Sequence, residues 1–266
     1  MAVWRRVVER LWPPRWLYAT YESHVLGHLD RERLPGHVAV LADGNRRWAR
    51  LNAPGQPLVA GYRAGAAKLL QFVDWCDEVG LQVVTLWVLS TDNLDRSPSD
   101  ELEPLLGVID DLVAELAASG RWRVRAVGAL DLLPGDCAER LRASAAATAD
   151  VTGMQVNVAV SYGGRHELRD AFRSLLAERA ASGASLDEVA QTIEIDQISE
   201  HLYTKGQPDP DLIIRTSGEQ RLSGFLLWQS AHSEFYFCEA LWPDFRKVDF
   251  IRALRSYTQR ERRFGR

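Results

Sequence analysis

Six short runs of apolar and β-branched residues alternate along the chain with longer segments of helical periodicity. The runs lie at residues 37–42, 82–89, 122–128, 154–161, 211–215 and 234–238. Strands that alternate with helices are typical of βαβ units, in which the helix returns the chain so that the next strand runs parallel to the last. We therefore expect an α/β fold, a single domain with a central, mostly parallel six-stranded sheet flanked by helices.

The segments between the strands carry apolar residues at helical spacing. The spacing predicts helices over residues 58–79, 99–118, 164–182 and 244–263. Ser99 stands before a run of acidic residues, which makes it a candidate N-cap for the second of these helices. Neither a repeat nor a linker interrupts residues 34–266, so we expect one domain there.

Residues 1–33 form a separate helical segment in this prediction. Arginines and Pro13-Pro14 interrupt its apolar residues, so it does not fit a secretory signal. Trp4, Trp12 and Trp16 alternate with arginines, a pattern that suits peripheral contact with the inner face of the cell membrane. Packing of this segment on the domain or on a partner subunit is the favoured alternative.

Composition narrows the function. The chain of 266 residues is 46% hydrophobic and has a formal net charge of −4, so a nucleic-acid binder, which is usually basic, is disfavoured. Its three cysteines form no CxxC pair and its six histidines no HExxH motif. These features predict a protein of the reducing cytoplasm without a structural zinc site.

Polar turns that contain arginine follow four of the predicted strands. They lie at residues 43–47, 90–96, 161–165 and 215–221. In parallel sheets, ligands bind beyond the carboxyl ends of the strands, and those ends meet at one edge. The turns therefore predict one cleft that is rich in anion-binding groups.

The first turn suits a phosphorylated ligand. Gly44 and Asn45 fit a tight turn that aims backbone N–H groups at an anion, and Arg46 and Arg47 add forked donors. Asp43 would repel a phosphate unless a divalent cation such as Mg²⁺ lay between them. For Asp43 alone, a helix cap with surface arginines is the favoured alternative.

The later turns strengthen the phosphate interpretation. Arg215, Arg221 and Ser223 place guanidinium and hydroxyl donors within nine residues, although a solvated hairpin would explain them too. Two anion sites at one sheet edge indicate two phosphorylated substrates or one long one. The chain lacks the P-loop, the GxGxxG fingerprint after the first strand and the GxSxG elbow, and a phosphohydrolase would need a second acid beside Asp43.

Six ordered blocks of sequence resemble those of the cis-prenyltransferases, the undecaprenyl diphosphate synthase family. They are HVAVLADGNRRWAR, LSTDNLDRSP, SYGGRHEL, DLIIRTSGEQRLSGFLLWQSAHSEFYF, LWPDF and RERRFGR. The resemblance runs from about Leu34 to the C-terminus. It implies an enzyme that condenses an allylic diphosphate with isopentenyl diphosphate, releases diphosphate and forms a Z double bond. It also implies Mg²⁺ as cofactor and a homodimer.

The resemblance assigns roles to individual residues. It gives Asp43 the magnesium of the allylic diphosphate, and Glu234 the second magnesium carboxylate. Arg263 and its neighbours would reach the partner subunit's active site. Asn93 lies in the cluster assigned to proton removal; since an amide is a poor base, it would orient the substrate while a phosphate oxygen takes the proton. The implied substrate-binding residues are Gly44, Asn45, Arg46, Arg47 and Trp48 for the allylic diphosphate, Arg215, Arg221 and Ser223 for isopentenyl diphosphate, and Ser90, Thr91, Asp92 and Arg96 beside Asn93.

Two departures from the family pattern bear on substrate and product. Tyr62 stands where the family commonly has His, and the loop that follows Arg50 has no arginine before Arg63. Val88 is bulkier than the small residue of an open product tunnel, and the segment from Pro98 to Gly128 is slightly shorter than in long-chain members of the family. These features predict a short product, such as Z,E-farnesyl diphosphate from geranyl diphosphate. The candidate tunnel walls are Leu86, Val88, Leu102, Leu106 and Ile109.

Three alternatives remain at the level of sequence. The chain could be a long-chain polyprenyl diphosphate synthase of the same class. It could be a non-catalytic accessory subunit, although such subunits tend to lose the metal aspartate, which is Asp43 here. A phosphohydrolase is the weakest of the three.

Overall fold

A six-stranded parallel sheet forms the centre of the fold. The computed structural model describes residues 31–96 and 98–259. The strands are β1 (His37–Leu41), β2 (Val83–Trp87), β3 (Arg123–Val127), β4 (Gln155–Ala159), β5 (Leu212–Arg215) and β6 (Glu234–Phe237). Their order is β3-β4-β2-β1-β5-β6, and every pairing is parallel. The predicted α/β architecture with six strands is confirmed, and the sheet of the described residues is parallel throughout.

Helices connect the strands. They are α1 (Asn45–Asn52), α2 (Val59–Glu78), α3 (Glu103–Ala118), α4 (Cys137–Ala146), α5 (Gly164–Ala181), α6 (Leu186–Thr192), α7 (Ile195–Ser199) and α8 (Lys247–Thr258). The predicted helices correspond to α2, α3, α5 and α8, and the part of the last prediction beyond residue 259 lies outside the described residues. In the part of the chain that is described, no helix is long and apolar enough to cross a membrane.

The start of α3 differs from the prediction. Residues Pro98–Leu102 form a π-helical turn, and Leu102, not Ser99, is the N-cap, without a side-chain capping bond. The predicted Ser99 cap is therefore wrong. Pro104 lies in the first turn of α3, where a residue without an N–H leaves no helical hydrogen bond unmade.

The strand register decides which loops meet. Leu41 of β1 pairs with Trp87 of β2 on one side and with Arg215 of β5 on the other. All five residues of β1 are buried, as expected for a central parallel strand. The loops that follow β1, β2 and β5 consequently leave the sheet side by side at its carboxyl edge.

The chain divides into two compact units. One comprises Pro35–Asp244 and contains the whole sheet. The other comprises Met1–Leu34 and Phe245–Arg266; its described part includes α8, whose buried face carries Phe250, Ile251 and Leu254. The boundary at residue 34 between an N-terminal segment and the catalytic domain stays a prediction, and residues 1–30 of that segment lie outside the described residues.

Candidate active site

A cavity of about 470 Å³ opens at the carboxyl edge of the sheet. Most of the predicted site residues line it. These are Asp43, Gly44, Asn45, Arg46, Arg47, Ser90, Asp92, Asn93, Arg96, Arg215, Arg221 and Ser223. The sequence prediction did not name Arg50 or Trp87 as parts of this wall, and both contribute to it. The fold thus brings three of the four predicted polar turns into one cavity, and the turn at residues 161–165 does not line it.

Asp43 faces this cavity instead of capping a helix. The N-cap of α1 is Gly44, which has φ +111° and no side-chain capping bond, so the helix-cap interpretation of Asp43 is wrong. The Asp43 side chain is 44% exposed, and its Oδ2 lies 3.4 Å from Nη2 of Arg215. Its backbone N–H donates to Oγ1 of the buried Thr216 at 3.0 Å. Thr216 therefore fixes the main chain from β5 and leaves the carboxylate available to a ligand.

Arg215 is a nearly buried guanidinium with an unused donor. Only 4% of the residue is exposed. Nη1 donates to Oγ of Ser223 at 2.9 Å and to the carbonyl of Arg221. Burial lowers the pKa of Arg215 and the nearby Asp43 carboxylate opposes this, but the group stays protonated at neutral pH. Among the described residues its Nε has no hydrogen-bond partner, a cost that an anionic ligand would remove.

The charge of the cavity is strongly positive. Six arginines line it, against the two carboxylates of Asp43 and Asp92. Guanidinium groups bind phosphate oxygens through paired donors, and a cavity with one dominant sign of charge concentrates ligands of the other sign. This arrangement suits two diphosphate groups better than a neutral ligand.

Tyr62 joins a network that holds two of these arginines. Its hydroxyl donates to Oε1 of Glu101 and accepts from Nη1 of Arg96 at 3.1 Å. Glu101 also pairs with Arg96 at 3.0 Å and with Arg46 at 3.6 Å. Burial raises the pKa of Tyr62 and lowers that of Arg96. The residue that replaces the family's His therefore orients arginines of the cavity through Glu101, which the sequence prediction missed.

Comparison with known proteins agrees with this geometry. A family model described as "Putative undecaprenyl diphosphate synthase" matches residues 41–265. The chain belongs to this family, the cis-prenyltransferases. It is therefore a prenyl-group transferase, as the resemblance implied.

Individual relatives of this cis-prenyltransferase support the same assignment. The chain is 59% identical over 249 residues to (2Z,6E)-farnesyl diphosphate synthase of Thermobifida fusca, covering 94% of this chain and 97% of that protein. It is 52% identical over 260 residues to the short-chain Z-isoprenyl diphosphate synthase of Mycobacterium bovis, covering 96% and 98%. Lavandulyl diphosphate synthase of Lavandula x intermedia, solved with dimethylallyl diphosphate, superposes with a TM-score of 0.80 at 33% identity over 88% of this chain and all of that one.

Four predicted site residues, Glu234 among them, are placed elsewhere or lie outside the described residues. Trp48 does not line the cavity, and its Nε1 donates to Oδ1 of Asp244 at 2.8 Å. Thr91 turns its hydroxyl toward Nδ1 of His166, 3.3 Å away. Arg263 lies outside the described residues, so its role stays a prediction.

Glu234 lies away from Asp43 within this chain. It begins β6 and pairs with Leu212, whereas Phe237, three residues later, pairs with Arg215 at the cavity edge. Three residues of strand span about 10 Å. One chain of this cis-prenyltransferase does not bring the carboxylates of Asp43 and Glu234 around one ion, and the metal role of Glu234 stays a prediction.

A small apolar cavity of about 30 Å³ adjoins the first. Val88 and Tyr62 belong to both walls. Of the five predicted tunnel residues, Val88 and Ile109 line the small cavity, whereas Leu86, Leu102 and Leu106 are buried without reaching it. The face that α3 turns to the small cavity carries residues at helical spacing, namely Leu105, Val108, Ile109 and Leu112.

The donor set fits magnesium. The described residues contain no group of three or more His, Cys, Asp or Glu side chains able to hold a metal. Mg²⁺ usually needs only one or two carboxylates, together with phosphate oxygens and water. Asp43, with its carboxylate at the mouth of the arginine-lined cavity, supplies the protein ligand that such a site requires.

Proposed function

We propose that this cis-prenyltransferase condenses geranyl diphosphate with isopentenyl diphosphate to a short-chain product, Z,E-farnesyl diphosphate. The supporting observation is that two arginine-bearing loops, 43–47 and 215–223, open into one cavity whose apolar extension is very small. Each loop would hold one diphosphate, and the carbons that react would lie between them.

The residues of the cavity suit each part of the reaction. When the allylic C–O bond breaks, its electron pair goes to the leaving diphosphate, and Arg46 and Arg47 stabilise that charge. Asp43 would hold Mg²⁺, which when bound supplies further stabilisation of the leaving group. The double bond of isopentenyl diphosphate, held by Arg215, Arg221 and Ser223, attacks the allylic carbon. A proton then leaves to a phosphate oxygen, with Asn93 orienting the substrate.

The small cavity favours a short product. Its volume is about 30 Å³, against about 470 Å³ for the main cavity. A tail that grows past the main cavity would meet Val88, Leu105 and Ile109 before it gained room for another isoprene unit. The names of the relatives from Thermobifida fusca and Mycobacterium bovis agree with this product class.

The deciding experiment incubates the purified protein with geranyl diphosphate, isopentenyl diphosphate and Mg²⁺, and sizes the products by mass spectrometry. We expect Z,E-farnesyl diphosphate as the main product. A ladder of longer chains would instead identify a long-chain synthase. Phosphate release without carbon–carbon bond formation would identify a phosphohydrolase, and inactivity rescued by a homologous partner would identify an accessory subunit.

We also propose that the enzyme is a homodimer. In the described sheet, β6 is an edge strand, and Phe237 at its end is 42% exposed. Phe172 and Leu176, four residues apart on α5, are 40% and 42% exposed. Apolar edges of this kind mark interfaces. Sedimentation of the full chain tests the dimer. Removal of residues 263–266 tests whether the C-terminus assists the partner's active site. A truncated enzyme as active as the full chain would contradict that role.

For localisation we propose the cytoplasm, with peripheral attachment of residues 1–33 to the membrane. The support is compositional, namely three scattered cysteines and the Trp–Arg alternation near the N-terminus. Co-sedimentation with anionic vesicles checks the attachment. A chain that lacks residues 1–33 is the control, and equal binding of both chains would contradict it.

A further inference from the structure

The segment Leu241–Asp244 contributes no residue to either cavity, yet it contacts three parts of the structure that carry the allylic site. We call it the clamp segment. It belongs to the LWPDF block of the sequence, for which neither the cavity walls nor the charges explained a role.

Its first contact is with the loop that bears Asp43. The backbone N–H of Trp242 donates to the carbonyl of Asp43 at 2.9 Å. Leu241 packs so closely on Gly44 that a Cβ added there would lie 3.1 Å from the Leu241 Cα. Because Gly44 also has φ +111°, only glycine fits this approach without strain. The clamp segment thus limits where the loop can move.

Its second contact reaches α2. The indole Nε1 of Trp242 donates to the carbonyl of Gly65 at 2.9 Å, and the fully buried ring lies edge-on to Phe72. Gly65 is where α2 meets the side chain of Asn45, since a Cβ on Gly65 would lie 2.3 Å from Asn45 Oδ1, and Gly61 approaches the Asn45 carbonyl oxygen equally closely. Trp242 therefore fixes the helix that presses on Asn45.

The bond to Ala42 sets the direction of the Asn45 amide, and Gly65 leaves the room that this direction needs. Asn45 Nδ2 donates to the carbonyl of Ala42 at 3.3 Å, while Oδ1 is buried and, among the described residues, has no hydrogen-bond partner. An amide NH₂ has two donors, and the bond to Ala42 uses one. With Oδ1 held toward α2, the second Nδ2 hydrogen remains for a ligand in the cavity that Asn45 lines.

Its third contact reaches α1. Asp244 Oδ1 accepts from Nε1 of Trp48 at 2.8 Å, which ties the first turn of α1 to the clamp segment. That turn carries Arg46 and Arg47 between Asn45 and Trp48. This bond to Asp244 explains why Trp48 does not line the cavity.

We propose that the clamp segment positions the allylic diphosphate site, with Trp242 as a positioning residue that acts through Gly65 on Asn45. The proposal rests on the function proposed above, because it assigns the loop of Asp43 and Asn45 to the allylic substrate. It assigns no contact with substrate to Trp242 itself.

The first experiment compares Trp242→Phe with Trp122→Phe. Both changes remove a buried indole donor: Trp122 is 3% exposed, and its Nε1 donates to Asp77 at 3.1 Å beside β3, away from the cavity walls. We expect Trp242→Phe to raise the KM for geranyl diphosphate about tenfold, while the KM for isopentenyl diphosphate changes less than twofold. Trp122→Phe should leave both values unchanged at a similar loss of stability. Equal effects of the two variants on KM, or an equal rise of both KM values in Trp242→Phe, would overturn the proposal.

A second experiment tests the path through Asn45. Gly65→Ala should weaken binding of a non-reacting analogue, geranyl thiolodiphosphate with Mg²⁺, about tenfold in calorimetry. In an Asn45→Ala background the same change should weaken it less than twofold, since the added Cβ then meets no amide. Effects of the two changes that simply multiply would overturn the proposal. The calorimetry measures binding without turnover, so it tests the clamp segment separately from the reaction. A wild-type chain that binds the analogue but forms no Z product would contradict the proposed function without contradicting the role of the clamp segment.

Discussion

The carboxyl and amino ends of the sheet differ in how many of their buried polar atoms have hydrogen-bond partners. At the carboxyl end, Nε of Arg215, Nε1 of Trp87 and Oγ of Ser217 are buried, and in the described part of the chain they have no hydrogen-bond partner. Toward the amino end, on the same face of the sheet, His37 and its neighbours form a network in which most buried polar atoms are bonded; Nε2 of Gln207, whose Oε1 accepts from Asn157, has no partner among the described residues. We infer that the unpaired groups at the carboxyl end serve ligand binding, whereas the bonded groups at the amino end stabilise the sheet.

The network spans three strands. His37 Nδ1 lies 2.8 Å from the carbonyl of Pro208, and Nε2 lies 2.8 Å from Oγ1 of Thr85. Thr85 also accepts from Nδ2 of Asn157 at 3.0 Å. A satisfied network stabilises a fold, whereas unpaired buried donors cost stability. Variants at the carboxyl end should therefore affect catalysis more than stability, and variants at the amino end the reverse.

Asp43→Ala should show the largest effect on catalysis. Loss of the metal-binding carboxylate should lower kcat at least about a hundredfold. The fold should persist because Asp43 caps no helix, and removal of its exposed carboxylate should change the free energy of unfolding by less than about 1 kcal/mol. Steady-state kinetics check the expected loss of kcat, and urea unfolding of the same preparation checks the expected free energy of unfolding. A variant with normal turnover would exclude the metal role of Asp43.

His37 should make stability depend on pH. Burial lowers its pKa from 6.5 to about 4, although Asp211 opposes the shift. Between these two pH values the unfolded chain binds a proton that the folded chain does not. The contribution of neutral His37 is thus present above pH 6.5 and is lost as the pH falls toward 4, by roughly 3 kcal/mol in total.

The measurement is the free energy of unfolding in urea at several pH values for the wild type and for His37→Gln. The burial of Glu167 raises its pKa and acts in the opposite direction, so the difference between the two proteins isolates His37. At neutral pH the kinetics of His37→Gln should stay near those of the wild type. If both proteins lose stability equally on acidification, His37 does not carry the effect.

Lysine substitutions compare a buried arginine with an exposed one in the cavity itself. Arg215→Lys should raise the KM for isopentenyl diphosphate about thirtyfold, because one ammonium cannot reproduce the separate contacts of Nη1 with Ser223 and of Nη2 with Asp43. Arg46, whose side chain is 46% exposed, should tolerate the same change with an effect of about threefold on the KM for the allylic substrate. Equal effects would show that burial does not distinguish the two loops.

The sequence allowed prediction of the features that repeat over short distances. Apolar runs marked all six strands, and helical spacing marked α2, α3, α5 and α8. Helix α4 was not predicted because charged and small residues interrupt its apolar face, and α6 and α7 are too short to show a period. In the site, glycine and arginine turns marked the loops that line the cavity.

Contacts between distant parts of the chain could not be predicted from sequence. Thr216 fixes Asp43 and Asp244 binds Trp48 across more than 170 residues. Glu101, which pairs with Arg46, lies in a π-helical turn before α3 that no sequence pattern indicated. The helix-cap alternative for Asp43 was wrong because the next residue, Gly44, takes the N-cap position in a conformation that sequence alone does not fix.

Val88→Ala should produce the smallest energetic effect and the most informative change of product. Val88 lies at the carboxyl end, one residue beyond β2, and belongs to the walls of both cavities. Removal of its two methyl groups should join the small cavity more widely to the main one, so that products longer than Z,E-farnesyl diphosphate appear. Val84→Ala is the matched control, since Val84 is a fully buried residue of the same strand outside both walls. The control should lose about 1–2 kcal/mol of stability and keep the wild-type product, because the deletion makes a hole only in the core. Mass spectrometry of the products measures their chain length. An unchanged product from Val88→Ala would show that this wall does not limit chain length. Longer products from both variants would show that loosening the sheet at any position is sufficient.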